Sequence, residues 1–262
     1  MHTLNFLLVS LVATAAWGAD TPIVVSAASP VIGVALDSLA TVYGNNLATV
    51  TESASLPWPA RLGDISVVYV TDSVGKVQMV SLLYVSPTQM NLWIPPGTAA
   101  GPASLSFPVT GLPPGAGTAA LRAVPLNIQR VAPGLFSVDR NGIAAAAAVR
   151  VVIPTQIQSP VPVFTCDAPE TCAAVPIDVG VDAPVYLSLY GTGIRGASSL
   201  ANVAVTIGST TIQPTYAGPQ MAIPGLDQVN VPLPLSLRGG GLVSVVVTVD
   251  GVSSNPVRIR IQ

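Results

Sequence analysis

The chain carries one histidine, His2, one lysine, Lys76, and two cysteines, Cys166 and Cys172, in 262 residues. His2 falls in an N-terminal segment that reads as a leader, so the mature chain holds no imidazole. That excludes a Ser-His-Asp or Cys-His nucleophile system and any histidine-based zinc or non-haem iron site. Two cysteines alone are too few ligands for structural zinc. Lys76 follows Val74-Gly75 without the second upstream glycine of a phosphate-binding loop, and no series of spaced acids matches a calcium loop. No metal, cofactor or catalytic residue is therefore assigned. Charged residues are 8% of the chain and the net charge is −2, so there is no basic patch to neutralise phosphates, and nucleic acid is not an expected partner. With so little charge, and with 25 prolines and 23 glycines scattered along the chain, long helices laced with ion pairs are disfavoured. Aromatic residues, at 5%, are too scarce for the girdles of an outer-membrane barrel. After the leader no apolar run reaches 18 residues, so no membrane span is expected.

Half of the residues are hydrophobic, ample for two cores where one sandwich takes about 100 residues. Residues 1–18 read as a signal peptide: an apolar run from Leu4 to Ala16 ends in the small-residue pattern Ala16-Trp17-Gly18. The n-region Met1-His2-Thr3 lacks lysine and arginine, and no cysteine follows the apolar run to accept a lipid. The mature chain is expected to start at Ala19 and to be secreted or held at the cell surface.

Short β-rich runs recur between turn signals at sandwich spacing. In the first half they are 38–43, 65–70, 77–85 and 90–94; in the second, 185–190, 203–207, 229–233, 243–249 and 257–261. Asn141-Gly142 marks a hairpin whose central residues tolerate positive φ, followed by an alanine run, 144–148, that reads as a strand of that hairpin or as a short helix.

An internal repeat organises these runs. Val42-Tyr43-Gly44-Asn45-Asn46-Leu47 returns as Leu189-Tyr190-Gly191-Thr192-Gly193-Ile194. Tyr84-Val85-Ser86-Pro87 with Gln89-Met90-Asn91-Leu92-Trp93-Ile94-Pro95 returns as Tyr216-Ala217-Gly218-Pro219 with Gln228-Val229-Asn230-Val231-Pro232-Leu233-Pro234. The expected architecture is all-β: two immunoglobulin-like sandwiches in tandem, residues 19–131 and 132–262, with an intervening hairpin and a cysteine loop in 132–182.

Ser26-Ala27-Ala28-Ser29, the Tyr-Gly-x-x-Leu/Ile turn, Tyr84-Val85-Ser86-Pro87, Ala132-Pro133-Gly134-Leu135-Phe136 and Leu226-Asp227-Gln228-Val229-Asn230-Val231-Pro232 together resemble the Solibacter-type uncharacterised C-terminal domain family. The resemblance spans nearly all of the mature chain. It implies tandem modules of the IPT/TIG immunoglobulin-like kind found at the end of exported bacterial proteins, and it brings no activity or catalytic residue with it.

Candidate ligand-binding residues come from the repeat and from the tryptophans. Gln228 and Asn230 alternate onto one face of a strand, as Gln89 and Asn91 do in the first copy. They form either a polar ledge for sugar hydroxyls or another chain's backbone, flanked by Tyr216 or Tyr84, or a set of amides that tie down the neighbouring loop. Asp227 stands beside that ledge. Trp58, framed by Pro57 and Pro59, and Trp93 are either docking aromatics or cover for a sandwich end. Cys166 and Cys172, in an exported chain, are expected to form a local disulfide. Three functions follow: an exported, non-catalytic structural or adhesive module whose partner is an unknown extracellular protein or glycan; a carbohydrate-binding module using Trp58 or Trp93; and, behind both, a carboxylate-based glycoside hydrolase, for which Glu52, Glu170, Asp178 and Asp227 are the available acids.

Overall fold

The computed structural model describes residues 21–29, 33–108, 121–153, 155–180 and 183–262. The expected signal peptide lies outside the described residues. The fold is all-β: the only helical pieces among the described residues are 3-10 turns at Leu200–Asn202 and Leu235–Leu237. Among the described residues no helix is long and apolar enough to cross a membrane.

The first half contains β1 (Ile23–Ser26), β2 (Val34–Ala35), β3 (Leu39–Tyr43), β4 (Glu52–Ser53), β5 (Tyr69–Thr71), β6 (Val77–Met79), β7 (Ser81–Val85), β8 (Gln89–Trp93), β9 (Gly101–Pro108) and β10 (Leu121–Gln129). They form two sheets, ordered β1-β3-β8-β7-β4 and β2-β10-β9-β5-β6. The second half opens with β11 (Gly134–Leu135), β12 (Ala146–Val152), β13 (Ile157–Val161), β14 (Phe164–Ala168), β15 (Thr171–Ala174), β16 (Pro176–Ile177) and β17 (Val185–Thr192). It continues with β18 (Val203–Ile207), β19 (Thr210–Ile212), β20 (Tyr216–Pro219), β21 (Asp227–Leu233), β22 (Gly241–Val249), β23 (Val252–Ser253) and β24 (Val257–Ile261). Its sheets run β13-β12-β17-β21-β20 and β16-β24-β22-β18-β19, with β11 on β17, β23 on β22, and β14-β15 as a separate ribbon.

The two halves share one plan. β3-β8-β7 corresponds to β17-β21-β20, and β2-β10-β9-β5-β6 to β16-β24-β22-β18-β19. In each, a two-residue strand runs parallel to the last strand, Val34 opposite Ile128 and Ile177 opposite Ile261, while the ladders beside them are antiparallel. The repeat holds at single-residue register. Tyr43 faces Gln89 and Thr41 faces Asn91, as Tyr190 faces Gln228 and Ser188 faces Asn230.

Alternation builds the cores. Along Asp227–Leu233 and Val257–Ile261 every second residue is buried, which follows from side chains pointing to opposite faces of a strand. One core draws on residues from Val34 to Ile128 and the other on residues from Val131 to Ile261, and they share no member.

Two expectations change in detail. The run 77–85 is two strands in different sheets: Val80 is buried between them and donates its N–H to Val68 O, holding the corner where the chain crosses over. The Asn141-Gly142 hairpin does pair Ser137 with Ala144, but only Gly142 has positive φ (80°). The turn is wider than two residues because Gly142 N–H bonds to Asp139 O and the buried Asp139 carboxylate accepts the Ile143 N–H at 2.9 Å. The alanine run feeds a full strand, β12, in the main sheet.

Candidate functional site at the junction of the sandwiches

The Gln and Asn of the repeat form the same hydrogen-bonded group in both copies. Gln89 Nε2 donates to Asn91 Oδ1 at 2.8 Å and Thr41 Oγ1 donates to the same oxygen at 3.0 Å. In the second copy Gln228 Nε2 and Ser188 Oγ donate to Asn230 Oδ1 at 2.7 and 2.8 Å. Gln89 and Asn91 are buried, whereas Gln228 and Asn230 are half-buried on the outer face of β21. Burial raises the phenol pKa of Tyr43 and Tyr190, which stand beside these glutamines.

Asp227 points to the other face and has a different task. It is wholly buried, its Oδ2 accepting the N–H groups of Ile194 and Arg195 at 2.7 and 3.2 Å and its Oδ1 accepting Arg195 Nε at 2.6 Å. The same guanidinium reaches Leu226 O and then crosses to the first sandwich, where its Nη1 meets Asp37 Oδ2, each at 2.7 Å. Asp37 Oδ1 accepts Trp93 Nε1 at 2.7 Å, so one chain of charge-assisted bonds runs Trp93, Asp37, Arg195, Asp227. Burial pushes the Asp227 carboxyl up, opposed by Arg195 and by the two N–H groups. Burial also works against the Arg195 charge, but Asp227 and Asp37 outweigh it and its pKa rises.

Further contacts close the joint. Thr192 Oγ1 accepts the Leu39 N–H at 2.9 Å and donates to Gly225 O at 2.7 Å. Gly225, at φ 73°, packs its backbone so closely that a Cβ would stand 2.8 Å from Trp93 Cδ1 and 3.0 Å from Leu39 Cδ2; only glycine fits both conditions. Between the sandwiches Arg130 bonds Gly196 O and Asp250 at 2.8 and 2.6 Å.

Trp58 and Trp93 line one cleft. Its volume is about 380 Å3, and Pro57 and Ser81 line it too, with Ala222 and Pro224 completing it from the second sandwich. Its lining carries no charge. The other acids are dispersed: Glu52 is exposed on β4, Glu170 pairs with Arg140 at 3.0 Å, and Asp178 pairs with Arg150 at 3.3 Å. Cys166 and Cys172 face each other across β14-β15 and form a disulfide.

Sequence reasoning did not single out Asp37, Arg195 or Thr192. A signal for Arg195 was present in the repeat itself. Aligning the copies puts Arg195 opposite Ala48 and Asp227 opposite Thr88, so the second copy gains a cation and an anion together. In the first copy the equivalent N–H, that of Leu47, bonds instead to Pro87 O at 3.0 Å. Comparison of the sequence with models of known protein families and with curated proteins finds no match.

Proposed function

We propose that the chain is an exported, non-catalytic structural or adhesive protein of two immunoglobulin-like modules, as its resemblance to the Solibacter-type family implies. Asp227 carries this reading. It is the acid with most of the burial that a catalytic carboxyl would need, yet all of its contacts hold Arg195 and the turn before it, so its charge serves the joint. The disulfide supports export. Expression of the full chain in a disulfide-forming bacterial host should give an extracytoplasmic product beginning at Ala19, and cross-linking pull-down with that product should retain a surface partner. A cytoplasmic, uncleaved product would overturn export. Glycoside hydrolysis lost in Asp227→Asn would overturn the non-catalytic reading.

Carbohydrate binding is a second reading, favoured by one difference between the copies. Asn230 commits its Oδ1 to Ser188 and Gln228 while standing half-exposed next to Tyr216, its cross-strand neighbour, which leaves the Asn230 Nδ2 group for a sugar hydroxyl. Retention on a glycan array that disappears in Asn230→Ala would support it.

A further inference from the structure

Tyr216 stands at the edge of the sheet β13-β12-β17-β21-β20, and its ring is pinned there. The phenol donates to Pro219 O at 2.6 Å. The ring lies across Gly218, where a Cβ would stand 3.1 Å from the phenol oxygen and 3.3 Å from Cζ, so the glycine makes room for a ring that runs along its own strand. Tyr216 is nevertheless 37% exposed, which leaves ring surface open to water.

The ring adjoins an oriented pair of amides. Tyr216 is opposite Asn230 and Gly218 is opposite Gln228. Because Gln228 Nε2 and Ser188 Oγ both donate to Asn230 Oδ1, Gln228 Oε1 is left as an acceptor and Asn230 Nδ2 as a donor on the same outer face. Tyr186 and Pro232, which share that face, carry no charge, and the Asp227 carboxylate points to the other. The first copy is built differently. Ser86 stands where Gly218 does, β4 pairs with β7 beside Tyr84 and Val85, and Gln89 and Asn91 are buried.

Donor and acceptor side by side match a vicinal diol, one hydroxyl donating to Gln228 Oε1 and its neighbour accepting from Asn230 Nδ2. A pinned aromatic ring beside them matches the C–H face of a pyranose, whose weakly positive hydrogens meet the negative face of the ring. A charged ligand would lose hydration here with no counter-ion to replace it. An extended peptide would have to pair with the edge of β20, where Pro219 has no N–H and its carbonyl already accepts the Tyr216 hydroxyl.

We propose that the outer face of β20 and β21 binds a neutral glycan, a pyranose stacking on Tyr216 while its adjacent hydroxyls bond Gln228 and Asn230. This rests on the carbohydrate reading and adds to it that the sugar is uncharged and that its platform is Tyr216, not Trp58 or Trp93.

An array of neutral oligosaccharides and their sulfated counterparts, probed with the disulfide-intact chain from Ala19 to Gln262, tests it, followed by calorimetric titration of the neutral oligosaccharide retained best. Neutral members should be retained. Tyr216→Ala and Asn230→Ala should each weaken binding about tenfold, roughly the loss of one stacked ring or one bonded amide. Gly218→Val, which fills the place of the ring while keeping the tyrosine, should weaken it too, and Trp58→Ala should bind like the parent. Dispersed amide resonances verify that each variant is folded; should Gly218→Val not fold, Tyr216→Ala, at an exposed edge position, decides. Binding of neutral glycans that survives in Tyr216→Ala, or is lost in Trp58→Ala instead, would overturn the site and leave the carbohydrate reading standing. Preference for the sulfated members would do the same. A chain that retains no glycan at all would overturn both, including one that retains an extended peptide through Tyr216 instead.

Discussion

A single asparagine shows how one residue type takes different energies from the same hydrogen bonds. Asn91 is buried with Thr41 and Gln89 both donating to it, so Asn91→Ala strands two buried donors. Its equivalent Asn230 is half-exposed, and water can replace the lost amide. Chemical denaturation should give a loss of about 2 kcal/mol for Asn91→Ala, and only about 0.5 kcal/mol for Asn230→Ala. At the joint, Arg195→Ala would leave the wholly buried Asp227 without its cation, a loss of about 3 kcal/mol by the same measurement. Asp72 supplies the pH dependence. The Ala99 N–H, then those of Lys76 and Val74 with the Lys76 charge, hold its carboxyl below the usual 3.8. Asp250 is lowered in the same direction, chiefly by the Ser198 hydroxyl. A carboxyl whose folded pKa lies below its unfolded one contributes stability that is complete above the unfolded value and lost as pH falls through the folded value. The contribution of Asp72 and Asp250 should therefore hold from neutrality to about pH 5 and be lost below about pH 4, and Asp72→Asn should flatten part of that fall; the raised carboxyl of Asp227 works the other way, taking up its proton in the folded chain first.

Strands were legible wherever alternation and repeat agreed. The 185–190, 203–207, 229–233, 243–249 and 257–261 runs all lie within ladders, because each reads apolar at every second position and belongs to the copied pattern. The 77–85 run was read as one strand because apolar residues continue through Val80; a corner buries a valine as well as a strand does, so hydropathy alone does not separate the two cases. The 65–70 run was too generous for a similar reason: Ile65 is buried by a local bridge with Leu62, and only Tyr69–Thr71 joins a sheet. The cysteine loop was legible from the expected leader and the spacing together, and it is the β14-β15 ribbon, whose residues are mostly exposed. A ribbon of two short strands with little core of its own depends on its crosslink. Closing so short a loop restricts the unfolded chain by roughly 2.4 kcal/mol in the chain-entropy picture, and the Cys166→Ser, Cys172→Ser double variant should lose up to that much. In the parent protein, non-reducing mass spectrometry should find the tryptic peptide from Val151 to Arg195 lighter by two hydrogens and refractory to alkylation. Alkylation of both cysteines without reduction would contradict the bridge.

On the scale of the whole molecule, the joint between the sandwiches was the least legible feature, because it depends on residues far apart in sequence: Asp37 and Arg195 are separated by 158 positions. Trp93 and Asp227 were visible as candidates, yet their common purpose emerges only when the turn after β2 and the turn after β17 meet. The two cores, in contrast, are local in sequence, and this bears on whether each half can fold by itself. The first core draws only on residues from Val34 to Ile128, while Val131 already belongs to the second. A fragment from Ala19 to Arg130 therefore keeps every member of its core and each of its ladders, and should fold alone with well-dispersed amide resonances. What it loses is the joint: Arg195 no longer pairs with Asp37, and Gly225 and Pro224 no longer cover Trp93. The fragment's tryptophan emission, which comes from Trp58 and Trp93 alone, should shift to the red relative to a chain from Ala19 to Gln262, and its denaturation midpoint should be lower. Arg195→Ala in that longer chain should shift the emission in the same direction but less, since the backbone of Gly225 stays in place. Collapsed resonances from the fragment would mean that the second sandwich is required for the first to fold. Unshifted emission with good dispersion would mean that the joint contributes nothing to the environment of Trp93.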